Sequence, residues 1–117
     1  MTGSLAGLKC VPCRGGEPPL DSQKIAGLLP ELPQWEINET TGIPRLVRVY
    51  EFKNFSQALE FTQQVGEIAE AEDHHPALLT EWGKVTVSWW THKIKGLHQN
   101  DFIMAAKTDR LYLLETE

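Results

Sequence analysis

A chain of 117 residues with 41% hydrophobic and 23% charged side chains has enough material for one compact domain around one core. Its net charge of −5 at pH 7 argues against direct nucleic-acid binding, because neutralising phosphates takes a basic surface. No apolar run approaches the roughly 20 residues of a membrane helix, and MTGSLAGLKC lacks the charged start and long apolar run of a signal peptide, so a cytoplasmic protein with no membrane partner is expected.

Residues 1–20 read as an irregular arm rich in Gly and Pro, followed by one domain over residues 21–117. The arm carries both cysteines as CVPC, Cys10 and Cys13. Such a pair supplies two metal ligands where structural zinc takes four. A redox pair of the thioredoxin kind opens a helix after a strand, whereas RGGEPP follows here. A reduced, loop-packing pair is the expectation, with metal and redox roles as alternatives.

Asp21 is a good N-cap for a short helix through Ile25, Leu28 and Leu29, which Pro30 and Pro33 stop. Trp35, Ile37 and Glu39 suggest a first strand, residues Thr40 to Pro44 a turn, and RLVRVYEF, Arg45 to Phe52, a second strand. Asn54 and Gln57 have capping-box spacing. After them Phe55, Ala58, Thr62, Val65 and Ala69 recur at helical spacing, widened by Phe61 and Ile68.

This helix runs into AEDHHP, Ala71 to Pro76. Adjacent histidines point about 100° apart in a helix and to opposite faces in a strand. Pro76 disfavours a helical His75, so the helix should end near the pair, and outside it both rings can be aimed at one pocket. Residues 77–82 form an expected third strand, with Gly83 as the turn residue. Residues 84–92 form a fourth, with Val85, Val87 and Trp89 on one face and Thr86, Ser88, Trp90 and His92 on the other. Trp89 and Trp90 read as one core and one surface or interface residue. A last helix over 99–112 follows, with His98 as N-cap, Leu97 and Phe102 as a hydrophobic staple, and Asp101 in the first turn, where the dipole favours negative charge.

The order αββαββα implies an α+β fold, a two-layer sandwich with helices on one face of a four-stranded antiparallel sheet. The polar residues that such termini can bring to one rim are Glu70, His74, His75, His92 and Asp101, with Glu70 four residues before His74.

The run E-x-x-x-H-H-P, an aromatic at Trp82, T-H at Thr91–His92 and N-D-F at Asn100–Phe102 resemble the pterin-4a-carbinolamine dehydratase family. So do W-E-I and F-K-N-F-S-x-A-L-x-F, and the resemblance covers residues 21–113. The opening K-C-V-P-C-R-G-G-E-P-P-L resembles an N-terminal extension of some microbial members. The resemblance implies dehydration of 4a-hydroxytetrahydropterin to quinonoid dihydropterin, recycling the pterin cofactor of aromatic amino-acid hydroxylases. It implies no metal and no cofactor of the enzyme's own, and a homodimer or homotetramer. His74, His75 and His92 would be the catalytic set, with His74 and His92 moving protons and His75 holding the 4a-hydroxyl. Histidine suits either proton transfer near neutral pH. Glu70 and Asp101 would orient histidines or bind substrate, with Pro76 and Thr91 beside them; Trp82 would either wall the pocket or pack in the core.

One departure is His98, where many members carry Thr or Ser. The hydroxyl cap is lost, and a ring nitrogen is left to replace it. Zinc on the three histidines is a geometric alternative. A different class of alternative is a non-catalytic binding protein of the same fold, either a dimerisation cofactor for a homeodomain transcription factor or a RuBisCO assembly factor. Such a protein would use a sheet edge or apolar patch and would not need the histidines.

Overall fold

A computed structural model of the chain describes residues 5–10, 18–40 and 42–116. Helix α1 spans Ser22–Leu28, with the Asp21 carboxylate accepting the Lys24 N–H at 2.8 Å. Strands β1 (Glu36–Asn38) and β2 (Arg45–Glu51) follow, then helix α2 (Phe55–Glu72). Strands β3 (Ala77–Glu81) and β4 (Lys84–Trp89) and helix α3 (Gln99–Thr116) complete the domain. The capping box at Asn54 forms: its side chain accepts the Gln57 N–H, and Gln57 Oε1 accepts the Lys53 N–H one residue outside the expected position.

The four strands form one antiparallel sheet in the order β1-β2-β4-β3. The period of two along each strand sends Leu46, Tyr50, Val85, Val87 and Trp89 into the core. There they meet Ala58, Phe61, Val65 and Ala69 of α2 and Phe102, Met104 and Ala105 of α3. The fold is the expected two-layer α+β sandwich. No helix among the described residues is long and apolar enough to cross a membrane.

The structure departs from the sequence reading at the ends of two elements. The fourth strand stops at Trp89, because Thr91 bridges back to Gly96 and His92–Ile94 coil into a 3-10 turn closed by Lys95 in the left-handed conformation. The last helix continues to Thr116 rather than ending at 112. The described part of the N-terminal arm is docked on the domain. Leu5 and Ala6 are buried, the Lys107 Nζ donates to the Ala6 carbonyl at 3.0 Å, and the Leu20 N–H donates to the Leu97 carbonyl at 2.9 Å.

Candidate active site

Helix α2 ends before the two histidines, and not through Pro76 alone. Asp73 takes the left-handed conformation (φ 52°), which Asp and Asn tolerate better than most side chains. Its N–H reaches Ala69 and Glu70 carbonyls, and the His74 N–H returns to the Ala69 carbonyl at 3.1 Å. This Schellman-type turn pins the His74 backbone to the helix end.

The two adjacent rings take different partners. The His74 Nε2 lies 2.6 Å from Asp101 Oδ1, with its side chain only 11% exposed. The His75 Nε2 lies 2.5 Å from Glu70 Oε2, and both are open to solvent. Glu70 therefore serves His75 rather than His74. An exposed pair of this kind contributes only about 0–1 kcal/mol to stability, so its consequence is ring orientation.

Asp101 is fully buried and its carboxylate is shared. Oδ1 faces His74. Oδ2 accepts the Thr91 hydroxyl at 2.8 Å and the His98 N–H at 2.9 Å. The last contact is half of a capping box. The other half is His98 itself, whose Nδ1 accepts the Asn100 N–H at 3.0 Å. The ring nitrogen thus replaces the missing hydroxyl cap. Trp89 stacks on the His74 ring, with centroids 5.8 Å apart and planes 5° apart, and donates its own Nε1–H to Thr108. His74 is held on its plane by the indole and at its edge by the carboxylate.

His75 follows His74 and His92 follows Thr91, so each Cα lies about 3.8 Å from a residue bonded to Asp101. One buried carboxylate thereby gathers the end of α2, the end of β4 and the start of α3. His92 is exposed on its 3-10 turn, its ring 4.5 Å from that of Trp90. Among the described residues no three His, Cys, Asp or Glu side chains group as metal ligands.

Trp82 is not brought to this cluster. It forms the β3–β4 turn with Gly83 and is 73% exposed. The whole of β3 separates it from Pro76, roughly 17 Å at the usual rise per strand residue. Neither alternative for Trp82 holds, since it walls no histidine pocket and packs in no core. Trp90 also differs from expectation: it is 8% exposed, covered by the Arg45 guanidinium 3.8 Å from its ring centroid.

Sequence reasoning missed Glu72. Its carboxylate accepts the Cys10 N–H at 2.8 Å and ties the arm to the last turn of α2. No local spacing signals a contact 62 residues apart. Burial, and next the Glu72 charge, push the Cys10 thiol up to about 12. Cys13 lies outside the described residues. A thiol raised so far is protonated at working pH and is a weak nucleophile. In a Cys13→Ser variant, iodoacetamide at pH 8 is expected to label Cys10 on the order of 10³-fold more slowly than free cysteine. Rapid labelling would return the redox reading to contention.

Residues 18–111 match the profile of a family described as pterin 4 alpha carbinolamine dehydratase. A relative from Microcystis aeruginosa with a provisional pterin-4-alpha-carbinolamine dehydratase name is 58% identical over 108 residues, 92% of this chain and 93% of its own. Among solved structures, a transcriptional coactivator/pterin dehydratase from Brucella melitensis superposes with a TM-score of 0.73 at 30% identity, covering 80% of this chain and 97% of its own. A pterin dehydratase-like protein identified as a RuBisCO assembly factor in the alpha-carboxysome shares the fold, with a TM-score of 0.57 at 18% identity over 68% of this chain and 89% of its own.

Proposed function

Because the chain belongs to the pterin 4 alpha carbinolamine dehydratase family, we propose that it dehydrates 4a-hydroxytetrahydropterin to quinonoid dihydropterin by histidine acid–base catalysis. The observation that carries the reading is the His74–Asp101 pair, closed on its far side by Thr91 and His98. The reaction moves two protons and no net electrons. One proton reaches the 4a-oxygen so that it departs as water. Another leaves a ring nitrogen, whose lone pair then forms the C=N bond.

A carboxylate only accepts, so Asp101 fixes the His74 proton on Nε2 and leaves Nδ1 as the acceptor for substrate. His92, exposed beside Thr91, is the second proton carrier. His75, oriented by Glu70, holds the 4a-hydroxyl, and Pro76 shapes the turn that presents it. The reading places the protein in pterin-cofactor recycling for aromatic amino-acid hydroxylases, in the cytoplasm. It carries a homodimer or homotetramer with it. Val49 and Leu79, exposed on the outer sheet face, support an oligomer, since a further subunit would cover them; light scattering over a wide concentration range checks this.

Stopped-flow absorbance of freshly generated 4a-hydroxytetrahydropterin tests the reaction. Wild type is expected to accelerate its decay, and His74→Ala to lower kcat about 10²–10⁴-fold with the fold intact, the usual range for one acid–base group. Near-native turnover in the variant would remove His74 from proton transfer. No acceleration by well-folded wild type would instead favour the non-catalytic binding role.

A further inference from the structure

Two successive tryptophans each seat one histidine. Trp89 points into the core and stacks on His74. Trp90, the residue just past the end of β4, lies against His92. The first contact is reinforced by the bond from His74 to Asp101. The second lacks such reinforcement, because among the described residues Trp90 is the ring contact that His92 makes.

What holds Trp90 is therefore what holds His92. The β2–β4 register ends at Leu46 and Trp89, so Trp90 follows the last paired residue of β4 and Arg45 precedes that of β2. The Arg45 guanidinium lies over the indole, 3.8 Å from the ring centroid. Its buried Nε has no hydrogen-bond partner among the described residues. The indole face is thus the contact that keeps the guanidinium in place, through the attraction of a cation for the ring quadrupole. Trp90 is 8% exposed and belongs to the buried cluster, so the Arg45 guanidinium caps an indole that is already anchored. The Arg45–Trp90 pair is a built feature, and it lies outside every motif that carries the family resemblance.

We propose that Arg45 and Trp90 are positioning residues for His92, a cation–π clamp that sets the direction of an otherwise solvent-exposed imidazole. The proposal rests on the dehydratase reading for its consequence, since a proton carrier misplaced by about 1 Å can lose about 10²-fold in rate. The clamp acts on rate through His92 alone.

A double-mutant cycle read by stopped-flow kinetics tests this, alongside NMR of the His92 ring protons. Trp90→Ala is expected to lower kcat about 10–100-fold in the wild-type background and to add nothing in a His92→Ala background. Trp90→Phe should restore kcat to within about threefold, because a smaller aromatic face still seats the ring. Arg45→Met should lower kcat roughly 3–10-fold by loosening the indole. The His92 ring protons should lose their ring-current displacement in Trp90→Ala and keep it in Trp90→Phe. Should Trp90→Ala fail to fold, Arg45→Met carries both readouts.

Equal losses in the two backgrounds would overturn the proposal, as would unchanged kcat with displaced His92 resonances. If wild type does not accelerate dehydration, it is the dehydratase reading that fails. The clamp is then judged on the resonances of Arg45→Met, which keeps the indole: a reduced ring-current displacement of the His92 protons supports it, and an unchanged one overturns it.

Discussion

Asp101→Asn is expected to lower kcat about 10²–10³-fold while leaving a folded protein, the signature of a wrong tautomer rather than a broken site. Oδ2 of Asp101 accepts two donors, the Thr91 hydroxyl and the His98 N–H. The backbone N–H cannot change role, so an asparagine must turn its oxygen toward His98 and its NH₂ toward His74. A donor then faces Nε2 at 2.6 Å, and the ring must accept there by carrying its proton on Nδ1. The nitrogen offered to substrate changes from acceptor to donor. Asp101→Ala differs in kind, because it leaves three buried donors unmatched and should cost about 3–5 kcal/mol, most of a marginal domain's stability. Long-range ¹H–¹⁵N correlation spectra of His74 report the tautomer directly. An asparagine variant that keeps both the Nε2–H tautomer and full turnover would show that Asp101 holds the helix start and nothing more.

How much of this was legible in the sequence follows from the range of each interaction. Helix α2 was legible because its cap at Asn54, its apolar stripe and Pro76 are all local signals. The sheet was legible because β2 is dense in β-branched and aromatic residues and β4 alternates, whereas the inward parity of Arg48 between Leu46 and Tyr50 was not. Asp101 was recognisable as a site residue from family resemblance, and from local pattern as a first-turn acid. Its pairing with His74 across 27 residues was not, and Glu70 at helical spacing looked the better partner. The spacing argument failed because Asp73 breaks the helix in the left-handed conformation, which rotates His74 inward and hands Glu70 to His75. Trp82 misled for the opposite reason. Its place in a family pattern says nothing of distance, and a hairpin tip lies a full strand from the strand's start. Arg45 carried no local signal at all, since its meaning depends on contact with Trp90, far along the chain.

A stability effect as large as that of Asp101→Ala is expected further along α3. Asp109 lies eight residues beyond Asp101, about 12 Å along the helix. It binds elements the catalytic reading does not use. Its carboxylate accepts the Trp35 indole N–H at 3.0 and 3.1 Å, an Arg48 guanidinium N–H at 2.6 Å and the Tyr50 hydroxyl at 2.5 Å. Arg48 also lies over the Tyr50 ring. Asp109→Ala leaves a buried phenol and a half-buried guanidinium unpaired, at a cost of about 3–5 kcal/mol. For a domain of this size that is roughly 10–25 °C in Tm, with kcat unchanged at low temperature because His74 and Asp101 keep their contacts. The same cluster makes the protein alkali-sensitive. Burial, and then the neighbouring Asp109 charge, push the Tyr50 phenol well above its ordinary value of 10.0. Below pH 10 both folded and unfolded chains hold that proton, and the stabilisation is complete. Above pH 10 the unfolded chain releases it while the folded chain does not, so stability falls by about 1.4 kcal/mol per pH unit. Cys10, also raised, adds a fall of the same sign beginning near its ordinary 9.0, so the comparison belongs in a Cys10→Ala background. Urea unfolding at pH 8, 10 and 11 should show a steeper decline in the parent than in Tyr50→Phe, which starts lower for want of the bond to Asp109. Parallel declines would mean that Tyr50 ionises in the folded state as freely as in the unfolded one, and that Asp109 holds only Trp35 and Arg48 against α3.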